Sequence, residues 1–175
     1  PSVSAVESTQ LGDTVYFVCP TRDMVKYNFT TLTGFAALTT PTGVTVTNIS
    51  GATGTAIYSW RVSAVARSGG ETIASTYISL ASIPQDLTKS LMRLSWTAVS
   101  AASGDLVGYN IYRGTVGNEV WVGGVDSATT RFDDYGTAAS DPTRTAPASD
   151  TTSGYKAKYI VRYQDRIIIA GIPGD

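Results

Sequence analysis

Histidine is absent from this chain of 175 residues, and cysteine occurs once. The first absence removes every Ser-His-Asp or Cys-His nucleophile, every His-ligated metal and the ordinary pH switch. The second leaves Cys19 without an internal disulfide partner or a Cys-based zinc cluster. There is no surplus of positive charge either. Lys plus Arg number 13 against 14 Asp plus Glu, a formal net charge of -1, so no basic surplus exists to neutralise phosphates and no nucleic-acid partner is expected. No apolar run approaches the ~20 residues of a membrane-spanning helix. No P-loop or dinucleotide fingerprint occurs. Leu, Lys and Glu are sparse, and no window repeats apolar residues at i, i+3, i+4 and i+7.

Thr, Ser and Gly are abundant instead, with period-2 alternation. Tyr58, Trp60, Val62, Ala64 and Ala66 share one face of a strand, and Ser59, Arg61 and Ser63 the other. Ser68-Gly69-Gly70-Glu71 reads as a hairpin turn, with Thr72 to Ala81 as its return strand. Leu91 to Val99 places Met92, Leu94, Trp96 and Ala98 on one face. After Ser103-Gly104-Asp105, the run Gly108 to Arg113 points Tyr109 and Ile111 inward. Gly117-Asn118 turns the chain into Glu119 to Val122, and Gly123-Gly124 reads as another turn. Thr129 to Tyr135 is a last short strand with Phe132 buried, and Val44 to Ile49 an opening one. About seven short strands between 41 and 136 predict an all-β fold, an antiparallel β-sandwich. A single sheet buries Trp60 and Trp96 poorly, whereas two facing sheets bury both.

The flanks carry hairpins. Residues 1–40 hold one, Thr14 to Cys19 returning as Met24 to Asn28 after Pro20-Thr21-Arg22-Asp23. Residues 155–175 hold another, Tyr155 to Tyr163 returning as Arg166 to Gly171. Ile167-Ile168-Ile169 is apolar on both faces and predicts cover on both. Residues 137–154 lack alternation and read as a linker. The chain opens Pro1-Ser2-Val3, without initiator Met or signal sequence. It closes Ile172-Pro173-Gly174-Asp175. Both ends read as cut from something longer, or processed.

Candidate chemistry is thin. Asp133 and Asp134, with Asp126, lack calcium-loop spacing and read as solvated turn carboxylates. Glu71 and Glu119 are candidates for a glycosidase pair, but both adjoin glycine turns where acidic residues are ordinary. Cys19 reads as a buried, inert thiol. Asn28-Phe29-Thr30 and Asn48-Ile49-Ser50 match the glycosylation pattern, which arises readily by chance in a Thr- and Ser-rich chain. Tyr112, Trp121 and Tyr135 are candidates for outward-facing aromatics, which stack on sugars or bury at interfaces, against a plain packing role. Ile167 and Ile169 are candidate interface residues. No catalytic residue, metal or cofactor is assigned.

The central block resembles an immunoglobulin-like or fibronectin type III-like module of bacteriophage virion proteins. The resembling residues are Pro41 to Val46, Tyr58 to Val65, Gly69 to Thr72, Leu94 to Val99, Gly108 to Arg113 and Arg131 to Gly136. The Tyr-x-Trp-Arg-Val strand precedes the Ser-Trp and Gly-Tyr-x-Ile-Tyr-Arg strands, the reverse of an ordinary fibronectin module, so a permuted or variant sandwich is expected. Lys158 to Asp175 resembles the opening strands of a propeller-like domain in phage tail proteins, and Thr14 to Phe29 a blade hairpin. The resemblance implies a non-enzymatic structural part of a virion, in the tail hub, nozzle or neck. Its partners would be other virion proteins and copies of itself, making it a homo-oligomer. Two readings stay open beside it. One is a module binding a host-surface glycan or receptor. The other is an accessory module of a secreted bacterial enzyme, which would be extracellular.

Overall fold

The computed structural model describes residues 5–34, 37–67, 69–101, 105–154 and 156–171. The expectations placed on Pro1-Ser2-Val3, Ser68, Ser103-Gly104, Tyr155 and Ile172 to Asp175 lie outside these residues. The fold is all-β, and among the described residues the only helical piece is a single 3-10 turn, Leu87–Lys89. The chain divides into two compact units: Pro1–Ala37 with Thr152–Asp175, and Leu38–Thr151.

In the first unit, β1 (Glu7–Leu11), β2 (Thr14–Cys19), β3 (Arg22–Tyr27) and β4 (Leu32–Gly34) form one antiparallel sheet in sequence order. The second unit contributes β5 (Thr42–Gly51), β6 (Ala56–Ala66), β7 (Ile78–Ile83) and β8 (Ser90–Thr97). It continues with β9 (Leu106–Gly114), β10 (Val120–Asp126), β11 (Arg131–Asp134) and β12 (Asp141–Thr145). Back in the first unit, β13 (Tyr159–Tyr163) and β14 (Arg166–Ala170) form a two-stranded hairpin.

The second unit is a two-sheet antiparallel sandwich. One sheet runs β12-β10-β9-β6-β7 and the other β11-β8-β5. Alternation decides what each sheet buries. The larger sheet turns Trp60, Val62, Ala64, Tyr109, Ile111 and Val122 inward. The smaller supplies Met92, Leu94 and Trp96, with Val44, Val46 and Phe132 packed against them. The Trp96 and Tyr109 rings meet edge-on, centroids 5.2 Å apart. A buried carboxylate ties the two sheets. Asp134 of β11 accepts from the Trp60 indole N–H of β6 at 2.9 Å and pairs with Arg113 of β9 at 2.6 Å. Its neighbour Asp133 takes a two-pronged bond from Arg93, both contacts 2.7 Å. Neither aspartate is the solvated turn carboxylate read from the sequence.

Four local expectations need correction. Gly123-Gly124 is no turn: both residues lie within β10, opposite Ile111 and Asn110. Neither has the positive φ that a glycine turn exploits. Gly123 is there because a Cβ would meet the Phe132 ring at 2.9 Å. Second, the return strand after the Gly69-Gly70 turn begins at Ile78, not Thr72. Over residues 72–75 side-chain hydroxyls replace part of the ladder. Ala64 N–H donates to Thr72 Oγ1 and Val62 N–H to Ser75 Oγ, each at 3.0 Å. Third, residues 137–154 are more than a linker, because β12 pairs with β10 there. Fourth, Ile167 to Ile169 is covered on one face only. Ile167 and Ile169 pack on the cluster of Val18, Met24, Ala157 and Ile160, while Ile168 is exposed.

Candidate functional site

The outer face of the larger sheet is polar, since the same alternation that turns Trp60 and Ile111 inward turns Ser59, Ser63, Asn110 and Tyr112 outward. Strand register sets Ser63 opposite Asn110, and Tyr112 between Arg61 and Trp121. This face is not open to water throughout. The segment following β12 crosses it as a strap, fastened by backbone hydrogen bonds. Ala146 N–H donates to Glu119 O at 3.0 Å, Ala74 N–H to Pro147 O at 2.9 Å, and Thr151 N–H to Glu71 O at 2.9 Å. Gly70 has no room for a side chain, because a Cβ would strike the Thr151 backbone.

Two carboxylates lie in this layer. Glu119 is buried and accepts from Ser59 Oγ at 2.7 Å and from Gly117 N–H at 3.2 Å. Glu71 Oε2 accepts from Ser63 Oγ and from the Tyr112 hydroxyl, both at 2.5 Å. Its other oxygen meets Arg144 Nη2 at 3.5 Å, and the Arg144 guanidinium rides 4.6 Å above the Trp121 ring centroid. Trp121 donates its indole N–H to Asn110 Oδ1 at 3.0 Å. Burial raises the Glu71 pKa, but hydrogen bonds from Ser63, Tyr112 and Asn110 and the charge of Arg144 outweigh it, holding the carboxyl below the usual glutamate range. Burial, then the bond to Glu71 and its charge, push the Tyr112 phenol well above its ordinary value. At neutral pH Glu71 therefore stays ionised and Tyr112 protonated. A glycosidase acid needs the opposite shift, a carboxyl raised toward neutrality.

Between Glu71, Tyr112 and the strap lies a cleft of about 310 Å3. Arg144, Thr145, Pro147 and Ser149 complete its rim. A second cleft of about 400 Å3 runs along Thr42, Val44, Thr76 and Tyr77, with no charged side chain in its lining.

The structure does not gather the predicted aromatics into one platform. Tyr112 is only 1% exposed, so it is not an outward recognition residue. Trp121 is half-buried beneath Arg144, and Tyr135 is 54% exposed just beyond β11 of the other sheet. Ile167 and Ile169 face their own small core. Cys19 is half-exposed rather than buried, because alternation in β2 gives the buried place to Val18. Its sulfur lies 3.3 Å from Thr21 Oγ1, and this hydrogen bond heads the causes that lower the thiol pKa. Asp126 Oδ1 accepts from Ala128 N–H, so the three aspartates serve separate partners. Asn28 Oδ1 is occupied by Thr30 and Thr31, and Asn48 Oδ1 is buried without a partner among the described residues. Sequence reasoning missed Arg144, Thr145 and Ser149. They sit in a stretch without periodicity, and only the strap's fastening brings them to Glu71. No family model matches the chain, and no curated protein matches it.

Proposed function

We propose that this chain is a structural component of a bacteriophage virion, in the tail hub, nozzle or neck, acting through contacts between subunits. The observation that carries the reading is the outward face of the β13–β14 hairpin. There Tyr159, Val161, Tyr163 and Ile168 are each between 47% and 61% exposed. Val161 and Ile168 are directly paired across the hairpin, so the exposed side chains form a continuous apolar strip rather than scattered residues. Single exposed apolar residues need no explanation, whereas a strip with two tyrosines has the composition of an interface core. Two further features support it: the likeness of the sandwich strands to virion modules, and the sandwich's sequence lying between the two segments that make up the other unit.

The test is mass spectrometry of purified virions, followed by sedimentation of the chain and of its Ile168→Asp variant. The expected result is the chain in the particle at a copy number comparable to other tail proteins, with assembly lost in the variant. Absence from the particle, together with a monomer indifferent to Ile168→Asp, overturns the reading.

A further inference from the structure

We propose that the cleft between Glu71, Tyr112 and the strap is a binding site for a neutral, hydroxyl-rich ligand of about one hexose, that is, a saccharide unit. This goes beyond the structural role proposed above and does not depend on it.

The size fits first. A volume of about 310 Å3 is at the small end of ligand pockets, suited to one ring rather than a chain of them. The acceptor comes next. Glu71 Oε2 is already engaged by Ser63 and Tyr112, which lock the carboxylate in place. Oε1 meets Arg144 at 3.5 Å, well beyond the ~2.7–2.9 Å of a strong charge-assisted bond, and Asn110 also hydrogen-bonds the carboxylate. The long contact to Arg144 leaves Oε1 able to accept from a ligand hydroxyl, and the ionised state of the carboxylate is secured by its neighbours. A fixed, partly desolvated carboxylate is a strong acceptor whose orientation costs nothing on binding.

The rim supplies the complement. Arg144 offers N–H donors, Thr145 and Ser149 offer hydroxyls that donate or accept, and Pro147 offers an apolar surface for ring C–H groups. Charge selects among ligands. The Glu71 carboxylate and the Arg144 guanidinium nearly cancel, so the cleft has no net attraction for an ion. An incoming ammonium would also meet Arg144 at close range, a like-charge penalty that a neutral hydroxyl avoids. Recognition here is polar, since the Trp121 face is already covered by Arg144.

The test titrates the full chain with glucose, galactose, mannose and N-acetylglucosamine, following backbone amide shifts by NMR. Lysine amide is titrated in parallel. Saturable shifts at Glu71, Thr145 and Ser149 are expected with at least one sugar, with a Kd on the order of 1 mM. Glu71→Gln should weaken that binding about tenfold or more. Ser149→Ala lies on the exposed strap and keeps the fold even where the Glu71 variant does not; it should weaken binding about twofold to fivefold. No saturable shift with any of the four sugars overturns the proposal. So does sugar binding unchanged in Ser149→Ala and in a folded Glu71→Gln. Shifts driven by lysine amide alone also overturn it, reassigning the cleft to a basic side chain.

Discussion

The two units of this protein stabilise themselves by different means. Among the described residues, the sandwich buries fourteen apolar side chains in one cluster, while the unit made from the flanks buries four, Val18, Met24, Ala157 and Ile160. The sandwich also buries charge, with Asp134 held between the Trp60 indole and Arg113. The smaller unit does the reverse and leaves tyrosine and isoleucine in water along β13 and β14. Folding stability grows with the share of surface removed from solvent. Among the described residues, the sandwich therefore has the larger apolar core to stabilise it.

Three measurements sharpen that contrast, beginning with the largest effect. All three tryptophans, Trp60, Trp96 and Trp121, lie in the sandwich, so their fluorescence reports on that unit. Trp60→Ala empties the centre of the core and removes a donor from Asp134. A loss of about 3–5 kcal/mol is expected in urea unfolding followed by the remaining tryptophans. A loss under about 1 kcal/mol would show that the core is far looser than its burial implies. Ile160→Ala in the smaller cluster should cost about 2 kcal/mol, the low end for such a truncation. It should appear as faster amide exchange in β2 and β13 while the tryptophan transition stays in place. Movement of that transition would mean the two units unfold as one.

The smallest effect is acid sensitivity in the sandwich. The folded pKa of Glu71 is depressed, so the unfolded chain binds the proton more readily. Its stabilisation is present in full above the ordinary glutamate pKa, and is lost as pH falls through the lowered folded value. Asp133 behaves likewise, chiefly through its hydrogen bond from Arg93. Glu71→Gln should flatten the acid limb of the stability profile monitored by tryptophan fluorescence. An unchanged limb would remove Glu71 from the account.

The sequence made the sandwich legible where alternation was complete. Period placed Trp60 with Val62 on one strand face, Met92 with Leu94 on another, and Tyr109 with Ile111 inward, and all six are buried. It failed where a residue served a purpose other than its commonest one. Gly123-Gly124 has turn composition, yet clearance beneath Phe132 demands glycine there. Thr72 and Ser75 look like strand residues, yet their hydroxyls take the place of backbone acceptors. Tyr112 was a candidate outward aromatic, but it is buried, and that burial depends on a strap whose own residues show no pattern. The cleft was invisible for the same reason: it joins Glu71 to Arg144 across 73 positions, and no local signal spans that separation.

Ile160 N–H reaches Glu7 Oε2 at 3.3 Å, between residues 153 positions apart in the chain. In an open chain, closing so long a loop is slow and entropically costly. Folding of the intervening sandwich removes most of the free chain from that loop. The smaller unit is thus expected to bring its two chain segments together after the sandwich has formed and to part them before the sandwich melts, an order that amide exchange in β2 and β13 also reads. The β13–β14 hairpin, which carries the apolar strip, is tied to the start of the chain by this long-range contact.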